Sequence, residues 1–176
     1  MRADDTETQA APGTGDIMQD LLLRTGRTVK DVYAEHAGTI YRVAYTYMKN
    51  RYDAEDAVQE AFLRLIRARP TLADARHERA WLIRTVSNVC RDLLRAKARQ
   101  HEDLDDHAEL AAPEQGDSAL LAAVLALPEK YRIVLYLYGV EGYSVKEIAA
   151  LLRRPPNTIK TRLSRAREML KTEWEA

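Results

Sequence analysis

Apolar residues in this chain recur every three or four positions and nowhere alternate over a sustained stretch. A 3.6-residue period gathers side chains onto one helical face, whereas a half-buried strand needs a period of two. The spacing therefore predicts an all-α protein. Val29, Tyr33, His36, Ile40, Ala44 and Tyr47 form one stripe, flanked by Val32, Val43 and Met48, in a first helix that stops near Asn50. A second helix spans 53–67. Asp53, Glu55 and Asp56 open it, and Arg64 and Arg67 close it. That polarity opposes the helix dipole, each charge contributing ~0.3–1 kcal/mol. Pro70 cannot continue it. A loop to about Glu78 leads to a third helix over 79–99.

The composition then changes. Residues 102–117 hold Glu102, Asp103, Asp105, Asp106, Glu109, Glu114 and Asp117 without a Lys or Arg, and Pro113 and Gly116 punctuate them. We read 101–117 as a flexible acidic linker joining two small helical domains, 27–100 and 118–176. The second domain offers helices at 118–126, 129–138, 145–152 and 158–172. Ser144 with Glu147 three residues on has the capping-box form. Residues 1–26 carry Pro12, Gly13, Gly15 and scattered acids, and read as a disordered acidic tail with a short helix around 17–23.

Other features exclude function classes. The chain has 176 residues and a formal net charge of +0, so bulk charge selects no partner. One cysteine, Cys90, excludes an internal disulfide and a cysteine zinc site. His36, His77, His101 and His107 lack metal-ligand spacing, so no metal or cofactor is expected. No Gly-x-Ser-x-Gly or His-Glu-x-x-His motif is present, and the chain does not read as an enzyme. The N-terminal "MRADDTETQA" is acidic and polar, unlike a signal peptide. The apolar runs "ALLAAVLAL" (119–127) and "IVLYLYGV" (133–140) fall well short of the ~20 residues that cross a bilayer. A cytoplasmic protein without membrane insertion is expected.

Three helical surfaces carry unusual residues. On the third helix Leu82, Val86, Val89 and Leu93 make the apolar stripe, which places Arg84, Asn88, Arg91 and Arg95 opposite, with Trp81 near one edge. Such a row suits a phosphate backbone, although a solvated face is the simpler account of the pattern alone. On 53–67, Val58, Ala61, Phe62, Leu65 and Ile66 face inward. Leu63 points elsewhere, among Asp56, Gln59, Glu60 and Arg67. It is either an incidental surface leucine or the centre of a protein-docking patch. The last two helices have the parts of a helix-turn-helix. Ile159, Leu163, Ala166 and Leu170 seat the final helix. Thr161, Ser164, Arg165 and Glu168 lie opposite, flanked by Lys160 and Arg162, with Asn157 and Thr158 at its start. Arg reads guanine bidentately, and hydroxyls and amides hold phosphates or bases.

These residues carry a resemblance. "DAEDAVQEAFLRLIR", "AWLIRTVSNVCRDLLRAKAR", "LPEKYRIVLYLYGVEGYSVKEIAALL" and "NTIKTRLSRARE" resemble, in order, regions 2 and 4 of a bacterial RNA polymerase sigma factor. The absence of an intervening region 3 is similar to the extracytoplasmic-function group of the sigma-70 family. The resemblance implies that Asp56, Gln59, Glu60, Leu63 and Arg64 dock on the β′ clamp helices of core polymerase. It implies that Arg84, Asn88, Arg91 and Arg95 recognise and open the −10 element, with a base pocket built by the loop 69–78. Asn157, Thr158, Lys160, Thr161, Arg162, Ser164 and Arg165 would read the −35 element, while the other face of that domain meets the β flap. Factors of this type are often held by an anti-sigma factor. The alternative is a helix-turn-helix transcriptional regulator that binds DNA without being a sigma subunit. Arg153 stands where relatives often carry Gly. Either it takes the left-handed conformation at ~1–2 kcal/mol, or Pro155 and Pro156 set a turn of another shape.

Overall fold

The computed structural model describes residues 26–102 and 119–175; the first two residues of the expected 101–117 linker are helical, while the rest of it, residues 1–25 and the short helix expected at 17–23 lie outside the described residues. Among the described residues there are helices and no strand element: α1 (Val29–Met48), α2 (Arg51–Ala68), α3 (Ala75–Glu102), α4 (Ala119–Ala126), α5 (Glu129–Gly139), α6 (Val145–Leu152) and α7 (Pro156–Glu175).

Side-chain caps set the helix starts. Thr28 and Asp31 form a reciprocal capping box at α1. Asn50 Oδ1 accepts from Asp53 N at 2.9 Å, which starts α2 at Arg51, two residues ahead of the sequence-based position. Lys49 and Arg69 close α1 and α2 in the left-handed region, at φ 61° and 40°. Asp74 then accepts from His77 N through its carboxylate and from Glu78 N through its carbonyl. A cap at Asp74 moves the start of α3 one turn earlier than the apolar stripe indicates. The loop shrinks to 69–74, and Glu78 becomes a helical residue that is 1% exposed.

The three long helices pack against one another through Val32, Ile40 and Ala44, Ala57, Ala61 and Leu65, and Leu82, Ile83 and Val86. Cys90 lies in this core, and burial followed by the charge of Glu129 pushes its thiol up to about 12. It behaves as a small hydrophobe. Tyr33, assigned to the buried stripe from its spacing, is 46% exposed. Its ring covers the edge of the core, 4.8 Å from that of Phe62.

In the second domain Ile133 and Leu137, Ile148 and Leu152, and Ile159 and Leu163 close the core between α5, α6 and α7. Gly142 takes φ +74°, which lets Tyr143 N reach Leu137 O at 3.0 Å and turns the chain into α6. Ser144 and Glu147 form the predicted capping box. Arg153 adopts the left-handed conformation, at φ 51°, and its N–H caps Ala149 O. The helix therefore ends as it would with glycine. Pro155 and Pro156 act later: Pro156 is the first residue of α7, where its missing N–H costs nothing.

The two domains share one contiguous apolar cluster. α5 packs on α1 and α6 packs on α3. Arg132, 3% exposed, crosses the junction. It donates to Thr46 O and Tyr47 O at the end of α1, and to Leu125 O and Leu127 O around the end of α4. Burial lowers its pKa to about 10, so it stays charged at neutral pH.

We predict that Ser144→Ala lowers unfolding stability by ~1 kcal/mol, the usual worth of an N-cap side chain. Thermal denaturation followed by circular dichroism checks it, and an unchanged midpoint would contradict the role given to the cap.

Candidate nucleic-acid and protein interfaces

α2 positions the first candidate surface. It buries Ala54, Ala57, Val58, Ala61, Phe62 and Leu65. Leu63 follows Phe62 by one 100° step and therefore leaves the core, 44% exposed. Asp56 and Gln59 are exposed beside it, and Glu60 and Arg64 are half-buried. Arg64 Nε donates to Glu60 at 2.8 Å, and Arg67 lies 3.9 Å from the same carboxylate. An apolar centre ringed by paired charges is the usual layout of a protein-docking patch.

The stripe on α3 is only partly free. Arg95 is exposed; Arg84, Asn88 and Arg91 are half-buried. Arg91 donates to Ser87 O and to Asn88 Oδ1. A guanidinium has no acceptor, so the amide oxygen of Asn88 must face it, leaving the amide N–H groups to face outward. Arg84 turns toward the second domain and reaches Ala150 O at 3.5 Å. Next to the stripe, Trp81, Thr85 and Asn88 join Arg64, Arg67 and Ala68 around a shallow cavity of about 420 Å³ between α2 and α3. The base pocket expected from the loop 69–78 loses its last four residues to α3. Glu78 faces inward, bonded by Arg27 at 2.6 Å with His36 Nε2 3.5 Å away.

On α7, Ile159, Leu163 and Ala166 are buried, as their spacing requires, and Leu170 is half-buried. The outer face divides in two. Asn157, Thr158, Thr161, Arg162 and Arg165 line one hollow together with Lys130 and Tyr131 of α5. Lys160 and Ser164 line another, with Tyr138 and Arg167. Arg167 is engaged there, its guanidinium 5.3 Å from the Tyr138 ring centre. Arg165 donates to the Tyr131 hydroxyl at 3.5 Å, and that contact holds the phenol below its ordinary pKa. Lys130 and Tyr131 were missed from sequence because they belong to another helix. Periodicity within α7 has no access to them; the only signal was their polar position in the 129–138 pattern.

Among the described residues no cluster of three or more His, Cys, Asp or Glu could hold a metal ion, and no helix is long and apolar enough to cross a membrane.

Comparison with known proteins agrees with this geometry. The family description "Sigma-70 region 2" matches residues 32–100 and "Sigma-70, region 4" matches residues 117–170. The ECF RNA polymerase sigma factor SigE of Mycolicibacterium smegmatis is 35% identical over 153 residues, covering 80% of this chain and 59% of its own length. This chain thus spans somewhat over half of that relative. RNA polymerase sigma factor CarQ of Myxococcus xanthus is 31% identical over 151 residues, covering 81% of this chain and 86% of its own. The solved sigma factor RpoE from Bartonella quintana, in complex with the anti-sigma factor NepR, superposes with a TM-score of 0.68 at 22% identity. It covers 84% of this chain and 96% of that one, a likeness of fold.

Because Leu63 and Arg165 project into solvent, Leu63→Asp and Arg165→Ala should each change unfolding stability by no more than ~0.5 kcal/mol. Urea denaturation measures this, and a larger loss would assign either residue to the fold instead of a free surface.

Proposed function

The chain belongs to the sigma-70 family as a sigma factor of the extracytoplasmic-function type, and from that premise we propose how its surfaces divide the work. One observation carries the proposal. Two domains in the order region 2 then region 4 each keep a distinct surface clear of their own core, the Leu63 patch on α2 and the basic outer face of α7.

The first domain, 27–100, binds core RNA polymerase through Asp56, Gln59, Glu60, Leu63 and Arg64 against the β′ clamp helices. Leu63 supplies the dehydrated centre of the contact and the charged ring sets its register. The same domain engages the −10 element through α3. Arg84, Arg91 and Arg95 hold phosphates, and Asn88 presents amide donors to a base edge. Strand opening requires compensation for lost stacking, and the cavity beside Trp81 offers an apolar wall for an unstacked base. The second domain, 118–176, lays α7 in the major groove of the −35 element. Asn157, Thr158, Thr161 and Arg162 fix the helix on the backbone, Arg165 reads a base, and Lys160 and Ser164 act along the adjoining edge. The opposite face of this domain meets the β flap. An anti-sigma factor belongs among the partners of this reading, as for the Bartonella quintana relative. The protein acts in the cytoplasm, where polymerase and promoter are found, and its work is binding, not catalysis.

In vitro transcription with core polymerase from the native host, across a library of promoters, tests the proposal. Initiation that depends on the added chain, from promoters sharing two elements, is the expected result; no stimulated initiation from any promoter would overturn it. Within that assay Leu63→Asp should weaken core binding at least ~10-fold, equivalent to ~1.4 kcal/mol. Wild-type affinity would return Leu63 to incidental surface.

Arg165→Ala should cost ~1–3 kcal/mol in −35 binding and relax preference at a single position. A loss uniform across all −35 sequences would mark a phosphate contact instead.

A further inference from the structure

Arg165 is exposed on the outer face of α7, yet its side chain meets a residue of another helix. Its Nη1 donates to the Tyr131 hydroxyl of α5 at 3.5 Å. Tyr131 is itself placed with little freedom. It stands in the first turn of α5, where its N–H bonds Pro128 O at 2.9 Å. The next residue, Arg132, is pinned at the domain junction by four backbone oxygens. The Tyr131 ring is half-buried, and Lys130 Nζ lies 5.0 Å from its centre. A tyrosine has few side-chain torsions to lose, whereas an exposed arginine samples many rotamers. The more rigid side chain therefore sets the position of the more mobile one.

The form of the contact matters for what Arg165 can still do. Further along α5, Tyr138 draws Arg167 over its ring, at 5.3 Å, and so engages the whole guanidinium. Tyr131 takes Arg165 at one corner only, through Nη1. The Nε–Nη2 edge is the other side of the fork, and an edge with two parallel N–H donors is what pairs with O6 and N7 of guanine. The bond also points across the hollow that Asn157, Thr158 and Thr161 line with Lys130 and Tyr131, on the outer side of α7.

We propose that Tyr131 is a positioning residue for −35 reading: its hydroxyl holds the Arg165 guanidinium so that the free edge meets a guanine. Base preference at that position then depends on a side chain outside the helix that enters the groove. The inference rests on the reading of Arg165 as a base contact and deepens it. Ordering a flexible side chain is a cost of binding, and a partner already in place removes part of that cost. On a wrong sequence an unheld arginine turns to a neighbouring phosphate; a held one must first give up the Tyr131 bond. The effect therefore falls on discrimination more than on general affinity. The bond to Arg165, helped by the charge of Lys130, also holds the phenol below its ordinary pKa, which gives the contact a signature in solution.

The test uses the full chain, free and in holoenzyme with core polymerase from the native host. In the free chain labelled with 13C-tyrosine, Tyr131→Phe identifies the Tyr131 resonance by its loss. Arg165→Met should move the titration of that resonance to higher pH, because it removes the group that lowers the phenol. An unmoved titration would overturn the proposal, since no contact would exist. In the holoenzyme, selection of bound duplexes from a promoter library randomised across the upstream element reads preference base by base. Arg165→Ala should relax it at one position. Tyr131→Phe keeps the ring and should weaken preference at that same position ~3- to 10-fold. It should leave the other positions and the affinity for a non-promoter duplex within ~2-fold, and it should add nothing when combined with Arg165→Ala. Unchanged preference in Tyr131→Phe, or an equal loss at every position, would overturn the proposal. So would a sharper preference, which would mean that Tyr131 withholds Arg165 from DNA. If Arg165→Ala relaxes one position and Tyr131→Phe does not, the positioning role alone fails. If Arg165→Ala relaxes none, the base-reading role fails and the positioning role with it.

Discussion

The Arg132 guanidinium is the interaction on which the arrangement of the molecule depends. α1 has no basic residue in its last turn, so the carbonyls of its C-terminal end lack a cation from their own helix. Thr46 O and Tyr47 O receive one from the other domain instead. The same side chain bonds Leu125 O and Leu127 O. Four of its five N–H donors are used, each on a backbone oxygen that burial would otherwise leave costly. Its charge has no carboxylate bonded to it; it is held by carbonyl dipoles at helix ends, which favour a cation there. A lysine offers three donors from a single point and could not spread across two helix ends in this way. One residue thus satisfies a helix terminus in each domain and fixes how α5 sits on α1.

Around that anchor the charges are segregated. A chain of formal net charge +0 has no overall attraction for nucleic acid. Positive charge is concentrated locally because the arginines of α3 and α7 project from helical faces whose opposite sides are apolar. Among the described residues, acids stand at the starts of α1, α2 and α5, along α2 and at the domain junction. Glu147 has two partners at once, Ser144 at the cap and Arg76 across the junction. Its carboxyl is held below the ordinary range, first by the Ser144 backbone and side-chain hydrogen bonds and then by Arg76. Folding of α6 and closure of the domains therefore draw on the same carboxylate.

Helix identity was legible in the sequence because period and punctuation agreed. The α6 box of Ser144 and Glu147 and the buried Ile159, Leu163 and Ala166 of α7 appear where the pattern placed them, and α2 ends at Ala68, one residue past the expected end and still ahead of Pro70. The start of α3 was not, because apolar periodicity begins at Leu82 and says nothing about a polar first turn that Asp74 caps. Tyr33 fell on the apolar stripe by spacing, yet it sits at the rim, where an aromatic ring can cover Phe62 and still face water. Leu63 was legible as an outlier since a single helix determines its direction. Tyr131 was not, since its place beside Arg165 is created only when α5 and α7 pack.

The domain junction is where local pattern has least purchase. Arg132 lies on a helix whose neighbours read as ordinary amphipathic sequence, and its partners are backbone atoms, which carry no residue code. Arg76 lies in a segment that reads as loop and Arg79 at the first residue of the expected third helix, and their glutamates are 71 and 62 residues away in the chain. No spacing rule connects them. Yet the choice of groups is informative once they are seen together. Apolar contacts alone would fix the domains regardless of salt or polyanion, since burial of apolar surface is insensitive to a competing phosphate. Ion pairs at a partly solvated seam weaken with salt and can be displaced by another anion. Here both kinds are present, an apolar cluster continuous between the domains and a charged seam of Arg76, Arg79, Glu141 and Glu147 beside it.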